Sequence, residues 1–336
     1  MIVHRRRYVF LFALAGVIGA GFFLAQSLGS KPAGRAASGE TGATDSAAAA
    51  AGDGAPPGHA KAARSTRQGA AQALLTSRIP LKDRFADLQA LANAGDVTAA
   101  RRLYHDLNLC TLLAGVDADN SRLADELLGT DVGKMDSGQL HDYQTQLDAI
   151  EARGTNMQKL HTLCNGTSRQ MFDTLVPSLQ QAAKLGDADA RACYLSRGPN
   201  LDMRGFLNHP EFLEEYRSSA DAMIKAGLAS GDWKMVDLLR NAYQPGTQSL
   251  LAGVVGSDPL QYYRYLKLYR LGAEAQRADE LDSQLKAAAA KLAPAQIADS
   301  DAWAQATLQQ NFSGTSTETT VTGWDPCSFA YDLAEP

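Results

Sequence analysis

Hydrophobic positions divide the chain into three stretches of different character. Residues 8–25 form an unbroken run without charge, and His4-Arg5-Arg6-Arg7 stands directly before it. Residues 29–73 contain no Leu, Ile, Val, Met, Cys or aromatic side chain. From residue 74 onward apolar residues return at intervals of three and four, the spacing that places them on one face of a helix. Phe85, Leu88, Leu91 and Ala92 form such a face after Pro80, which suits a first helical turn, and Gly95 ends it. Asp96 reads as the N-cap of a helix through Leu103, Leu107 and Cys110, and Asn120 or Ser121 as the cap of a short one ending at Leu128. Residues 129–138 read as loop. Leu140, Tyr143, Leu147 and Ile150 predict the next helix, Thr167 starts one that Pro177 kinks, and Gly186-Asp187 opens another. After a connection over 199–210, residues 211–229, residues 232–243 and the stretch from Asp258-Pro259 supply three more helices, or four if Gly272 breaks the last.

Composition supports the same class. The chain has 57 Ala and 42 Leu against 17 Val plus Ile. Small and straight-chain residues favour helices and β-branched ones favour strands, so an all-α fold is expected. It is divided into a membrane segment at 1–28, a linker at 29–73, an all-α domain at 74–310 and an irregular tail at 311–336.

The first stretch has the cationic flank and apolar core of an exported chain. Retained as a single span, residues 1–28 hold the protein in the inner membrane with everything after them in the periplasm. Cleavage after Ala25-Gln26-Ser27 instead leaves a soluble periplasmic protein. Residues 29–73 have nothing to bury and so nothing to offset their ordering entropy, which predicts a disordered Ala/Gly/Ser/Pro linker.

Charge narrows the partners. The whole chain carries −5, residues 1–73 carry +5, and the remainder therefore carries −10. An acidic domain repels phosphate backbones, which argues against nucleic acid and permits a basic protein partner.

Cys110, Cys164, Cys193 and Cys327 all fall in the region expected to be exported. An even count in an oxidising space predicts two disulfides, with three connectivities open. Cys110 and Cys164 each end an apolar helix face, which favours their pairing and leaves Cys193 for Cys327. Cys327 follows a Thr- and Ser-rich stretch with few apolar residues to dock it, so a staple is expected to hold it. Free buried thiols are one alternative and metal binding the lesser one: His161-x-x-Cys164 has ligand spacing but no second paired motif.

One local pattern recurs. Residues 88–103 read LQALANAGDVTAARRL, 179–195 read LQQAAKLGDADARACYL, and 224–239 read IKAGLASGDWKMVDLL. In each, Gly follows an apolar helix end and Asp follows Gly. Gly admits the left-handed conformation that closes a helix, and Asp caps the next one. Leu271-Gly272-Ala273 follows without the Asp. The pattern resembles the A-x-x-G-x-x-x-A turn of tetratricopeptide and Sel-like helical repeats. That resemblance implies antiparallel helix pairs stacked into a curved solenoid. An irregular helical bundle using the same capping chemistry remains the alternative.

Enzyme patterns are sparse. No Gly-x-Ser-x-Gly elbow, His-Glu-x-x-His pair or phosphate-cradling Gly-rich loop occurs, and no Glu-Ser dipeptide of the transglycosylase kind. Ser283-x-x-Lys286 lacks a Lys-Thr-Gly partner, and His105, His141, His161 and His209 have no distinctive acid or nucleophile beside them. No cofactor is expected.

Aromatic residues cluster instead. Tyr262, Tyr265 and Tyr269 share a helix face with Leu266 while Tyr263 points elsewhere, which reads either as a core stripe or as a contact ridge for a protein or glycan. Trp233 joins them as an interaction candidate. The expectation is a membrane-tethered, periplasm-facing helical module that binds an unknown protein, an inhibitor or immunity-type protein being the narrower form. The alternative is an envelope enzyme acting on peptidoglycan through a noncanonical site.

Overall fold

The computed structural model describes residues 79–328. The expected membrane segment, its cleavage site and the 29–73 linker lie outside the described residues. Thirteen α-helices occur among the described residues, with no strand. They are α1 (Leu81–Asn93), α2 (Val97–Leu128), α3 (Ser137–Cys164), α4 (Arg169–Phe172), α5 (Leu175–Lys184), α6 (Ala188–Arg197) and α7 (Met203–Asn208). There follow α8 (Glu211–Ala229), α9 (Trp233–Tyr243), α10 (Leu250–Val255), α11 (Pro259–Gly272), α12 (Ala278–Ala289) and α13 (Pro294–Asn311). Short 3-10 turns at Val132–Lys134, Gly198–Asp202, Ala275–Arg277 and Thr317–Thr320 complete it.

The three Gly-Asp sites share one geometry. Gly95, Gly186 and Gly231 have φ of 93°, 103° and 69°, the left-handed region where a Cβ is costly. At each site the Gly N–H donates to the carbonyl three residues back and the Asp N–H to the carbonyl five back: Ala92 and Leu91, Ala183 and Ala182, Leu228 and Gly227. That is the Schellman closure. Each Asp carboxylate then caps the following helix, Asp96 accepting from Ala99, Asp187 from Ala190 and Asp232 from Lys234. Two residues thus end one helix and start the next, in α1–α2, α5–α6 and α8–α9.

Gly272 is different. It ends α11, but its φ is not positive; the ring of Trp233 lies where its Cβ would be, 2.3 Å from the ideal position. This fourth site is a close approach and no copy of the turn.

Several boundaries move. α2 runs unbroken to Leu128, through Gly115 and past Asn120 and Ser121, so the separate short helix does not exist. A single Gly costs a helix about 1 kcal/mol, too little to stop a run of good helix formers without a proline. Only part of 129–138 is loop: Asp136 forms a capping box with Gln139, and α3 begins at Ser137. Ser168 rather than Thr167 caps α4. Pro177 is the third residue of α5, where its missing N–H breaks no helical bond, so it causes no kink. The 199–210 connection is largely helical, and α10 adds a helix that the apolar spacing did not indicate.

Some close pairs are neighbours in sequence, α1 on α2, α2 on α3 and α5 on α6, while α2 on α5, α9 on α11 and α11 on α13 pack across intervening helices. Two cores result. The first gathers Leu81, Leu88, Leu103, Leu107, Leu160 and Leu175 around the Cys110–Cys164 bond; the second, larger one contains the Cys193–Cys327 bond. Both bonds are the favoured pairing.

Within the first core lies a fully buried ion pair. Arg84 Nη2 donates to Asp106 Oδ2 at 2.7 Å, and Arg102 Nε donates to the same oxygen at 3.0 Å. Removing one member of such a pair strands a charge away from water, whereas replacing both with apolar groups is often neutral. Asp106→Ala is therefore expected to cost about 3–5 kcal/mol in urea unfolding. Arg84→Met combined with Asp106→Leu should recover most of that loss; a double variant as damaged as the single one would contradict the account.

Candidate functional site

The clustered tyrosines belong to α11, which Asp258 caps by accepting from the N–H groups of Leu260 and Gln261, with Pro259 at the first helical position. α9, α12 and α13 all pack on this helix. Consequently Tyr263, Tyr265 and Tyr269 are buried, and Tyr262 is half-buried. Tyr263, expected to point away from the others, donates its hydroxyl to Asp301 on α13 at 3.0 Å. Tyr265 stacks on Tyr243 at 5.6 Å between centroids and meets Trp303 edge-on at 5.3 Å. Trp233, 4 % exposed, packs on Phe312 at 4.5 Å and donates its indole N–H to Thr315. The contact-ridge reading is thereby corrected: these residues form the second core, because neighbouring helices cover more than one face of α11.

Tyr269 closes one side of a polar crevice of about 270 Å³ whose walls include Asp237, Arg240, Arg277, Gln284 and Trp324. The guanidinium carbons of Arg240 and Arg277 lie 4.3 and 5.3 Å from the Tyr269 ring centroid, within cation–π range. Each cation has its own carboxylate. Arg240 pairs with Asp237 at 2.6 Å and Arg277 with Glu274 at 2.5 Å. Burial pushes the Asp237 carboxyl above its ordinary value, with Arg240 opposing. The Glu274 carboxyl is lowered: burial raises it, but backbone hydrogen bonding and Arg277 prevail. Both cations of the crevice are therefore paired, while Glu280 on its wall accepts from Gln284.

What the crevice holds is the tail. Arg277 Nη1 donates to the Thr320 carbonyl at 3.2 Å, Arg277 Nη2 donates to the Thr317 carbonyl at 3.2 Å and to the Thr317 hydroxyl, and Tyr269 donates to the Thr320 carbonyl at 2.7 Å. Thr317 and Thr320 are buried. A segment with few apolar residues thus docks through buried hydrogen bonds and Phe312, which the search for apolar faces missed; the disulfide adds a second anchor near its end. Among the remaining candidates, His209 pairs with Glu211 at 2.8 Å and His161 lies 3.5 Å from Asp117, both on the surface. No group of three or more His, Cys, Asp or Glu side chains is placed to hold a metal among the described residues. No helix there is long and apolar enough to cross a membrane.

The other distinctive surface is the α2–α3 hairpin. On α2 the last buried residue is Cys110; on α3 the first is Met157. Between them no residue is buried. Leu140, Tyr143, Leu147 and Ile150, expected to face a core, are exposed or half-exposed. These features define an all-α body with a hydrogen-bonded C-terminal tail and a long helical hairpin whose residues 111–156 bury no side chain. Neither a protein-family model, a curated protein nor a solved structure matches the chain.

Removing the second disulfide by Cys193→Ala with Cys327→Ala is expected to cost about 2–5 kcal/mol. Residues 312–320 should stay protected, so any new nick that limited proteolysis makes in the tail should fall beyond Gly323. Adding Arg277→Ala should open the whole tail. Cleavage before Thr317 in the disulfide variant alone would show that the bond, and not Arg277, holds the segment.

The buried phenols give a pH dependence. Burial lifts Tyr104, Tyr194 and Tyr216, and lifts Tyr263 and Tyr265 to about 12, with Asp301 reinforcing the shift at Tyr263. A phenol harder to ionise in the fold than in the unfolded chain supports the fold fully below pH 10, and that support is lost as pH rises towards 12. Helical circular dichroism and tyrosinate absorbance should therefore change together above pH 10. Full tyrosine ionisation near pH 10 with the helices intact would contradict this.

Proposed function

We propose that the protein is an envelope-resident, all-α interaction module, tethered by its N-terminal segment with the helical domain in the periplasm, and that the hairpin is its contact surface. The observation that carries this reading is the run from Thr111 to Asn156, in which two helical arms bury not one side chain. A helix stays folded chiefly through packing of an apolar face, so arms this long with so little packing are maintained at a cost to stability. Contact with another protein is the use that such a surface serves. Pairing of all four cysteines supports an oxidising compartment. The three Gly-Asp turns with the same Schellman closure support an architecture of the helical-repeat kind. An inhibitor or immunity-type role is the narrower form of the proposal.

The test is photo-crosslinking in cells from full-length protein carrying a reactive residue at Leu128 or Gln144 on the hairpin, or at exposed Gln305 on the body. A discrete protein adduct is expected from the two hairpin sites and none from Gln305. Adducts from the body alone, or from no position, would remove the reading.

A further inference from the structure

The seam between the two arms has coiled-coil spacing. On α2, Leu113, Asp117, Asn120, Ala124 and Leu127 recur at intervals of four and three, and on α3 so do Tyr143, Leu147, Ile150, Gly154 and Met157. All are half-buried except Met157, which is buried at the base. Two helices can cover such a seam only from each other's side. The α2 seam is also partly polar: Asn120 Oδ1 is shielded from solvent and makes no hydrogen bond among the described residues.

Beside the seam lies a second apolar stripe. Leu112, Val116 and Leu123 follow a four, seven spacing, which confines them to a narrow arc of α2, and Leu127 of the seam stands at the edge of that arc. Leu112 and Val116 are 47 % and 37 % exposed. Asp119 and Glu126 border this stripe and share Arg122, at 3.4 and 3.7 Å. Over residues 111–156 nine acidic side chains stand against three basic ones, a net −6. The hairpin therefore carries most of the −10 found beyond residue 73.

We infer that the open side of the hairpin seats a basic amphipathic helix of a partner protein, its apolar face on the Leu112–Val116–Leu123–Leu127 stripe and its cations against the acidic margins. This inference rests on the interaction-module reading and adds to it the surface and the chemistry of the partner. A third helix would cover the seam that two leave open, and helix-in-groove recognition through anchors at helical spacing is an established mode. The free part of α2, residues 111–128, is about 27 Å long, which matches a partner helix of about five turns. Charge selects among occupants: a second copy would bring two like-charged arms together, whereas a cationic helix relieves the repulsion within one.

The probe is a fluorescent synthetic peptide of about five turns, with Leu at heptad positions and Lys elsewhere, added to full-length oxidised protein. Two controls accompany it: the same peptide with Glu for Lys, and a Lys/Leu peptide of equal composition with its heptads scrambled. Binding by the first peptide alone is expected, with hydrogen-exchange protection confined to the hairpin and affinity falling steeply with salt. Leu112→Asp with Val116→Asp should weaken it about tenfold or more. Because those changes add negative charge, a loss reports the apolar contact rather than the attraction. Equal binding of the scrambled peptide, protection on the body, dimerisation through Leu112 and Val116, protection of the hairpin by the chain's own N-terminal segment, or absence of binding each overturns the inference. A hairpin crosslink in cells together with a peptide that does not bind would sink this inference and leave the interaction-module reading standing; failure of both would remove both.

Discussion

The bond between Cys110 and Cys164 stands where burial stops on α2, two turns from where it stops on α3 at Met157, and the rest of the architecture is arranged about that boundary. On its body side, α2 and α3 share a core with α1 and α5, including the Arg84–Asp106 pair. On its outer side Met157, Leu160 and Leu163 of α3 still belong to that core, and beyond them, from Thr111 to Asn156, neither arm buries a side chain. The bond spans 54 residues and so encloses the whole hairpin between two points 5.3 Å apart. Tying the ends removes much of the freedom that the hairpin would gain on unfolding. An arm that buries little is thereby kept helical by a constraint at its root.

The parts of this fold legible from sequence are those decided by a few neighbouring residues. Gly-Asp at 95–96, 186–187 and 231–232 specifies a closed helix end and a new cap with no help from distant contacts, so the expected turns match the observed hydrogen bonds. The same local logic misleads at Asn120 and Ser121. Such residues compete for backbone groups and so resemble caps, yet inside a long helix their side chains turn aside without ending it. Nor does periodicity distinguish a stripe facing a core from one facing a single helix. Leu140, Tyr143, Leu147 and Ile150 have the spacing of both.

The aromatic site shows the same division. Asp258-Pro259 and the four tyrosines of α11 were visible as a helix with an unusual face, but its surroundings come from far along the chain. Asp301 and Trp303 arrive from α13, Tyr243 from α9, and Thr317 and Thr320 from the tail. Whether such a face is a surface or a core depends on how many neighbours close over it. The tail was harder still to read, because its docking uses Arg277, Tyr269 and backbone carbonyls. Hydrophobic patterning is blind to a segment that satisfies itself by hydrogen bonds.

Body and hairpin thus solve opposite problems. In the body, Arg240 and Arg277 are each matched with an acid beside the Tyr269 ring, and even a polar tail is sealed by partnered groups. In the hairpin, acids outnumber bases three to one and the seam admits Asp117 and Asn120. Like charges along two adjacent arms raise the free energy of the folded hairpin, most at low salt. Anything that neutralises those charges while covering the apolar stripe binds the folded arm in preference to the unfolded one, and so stabilises it by mass action. Stability of the arm and occupancy of its surface are then one equilibrium: the acidity that weakens the empty hairpin is the same acidity that strengthens its hold on a cationic ligand.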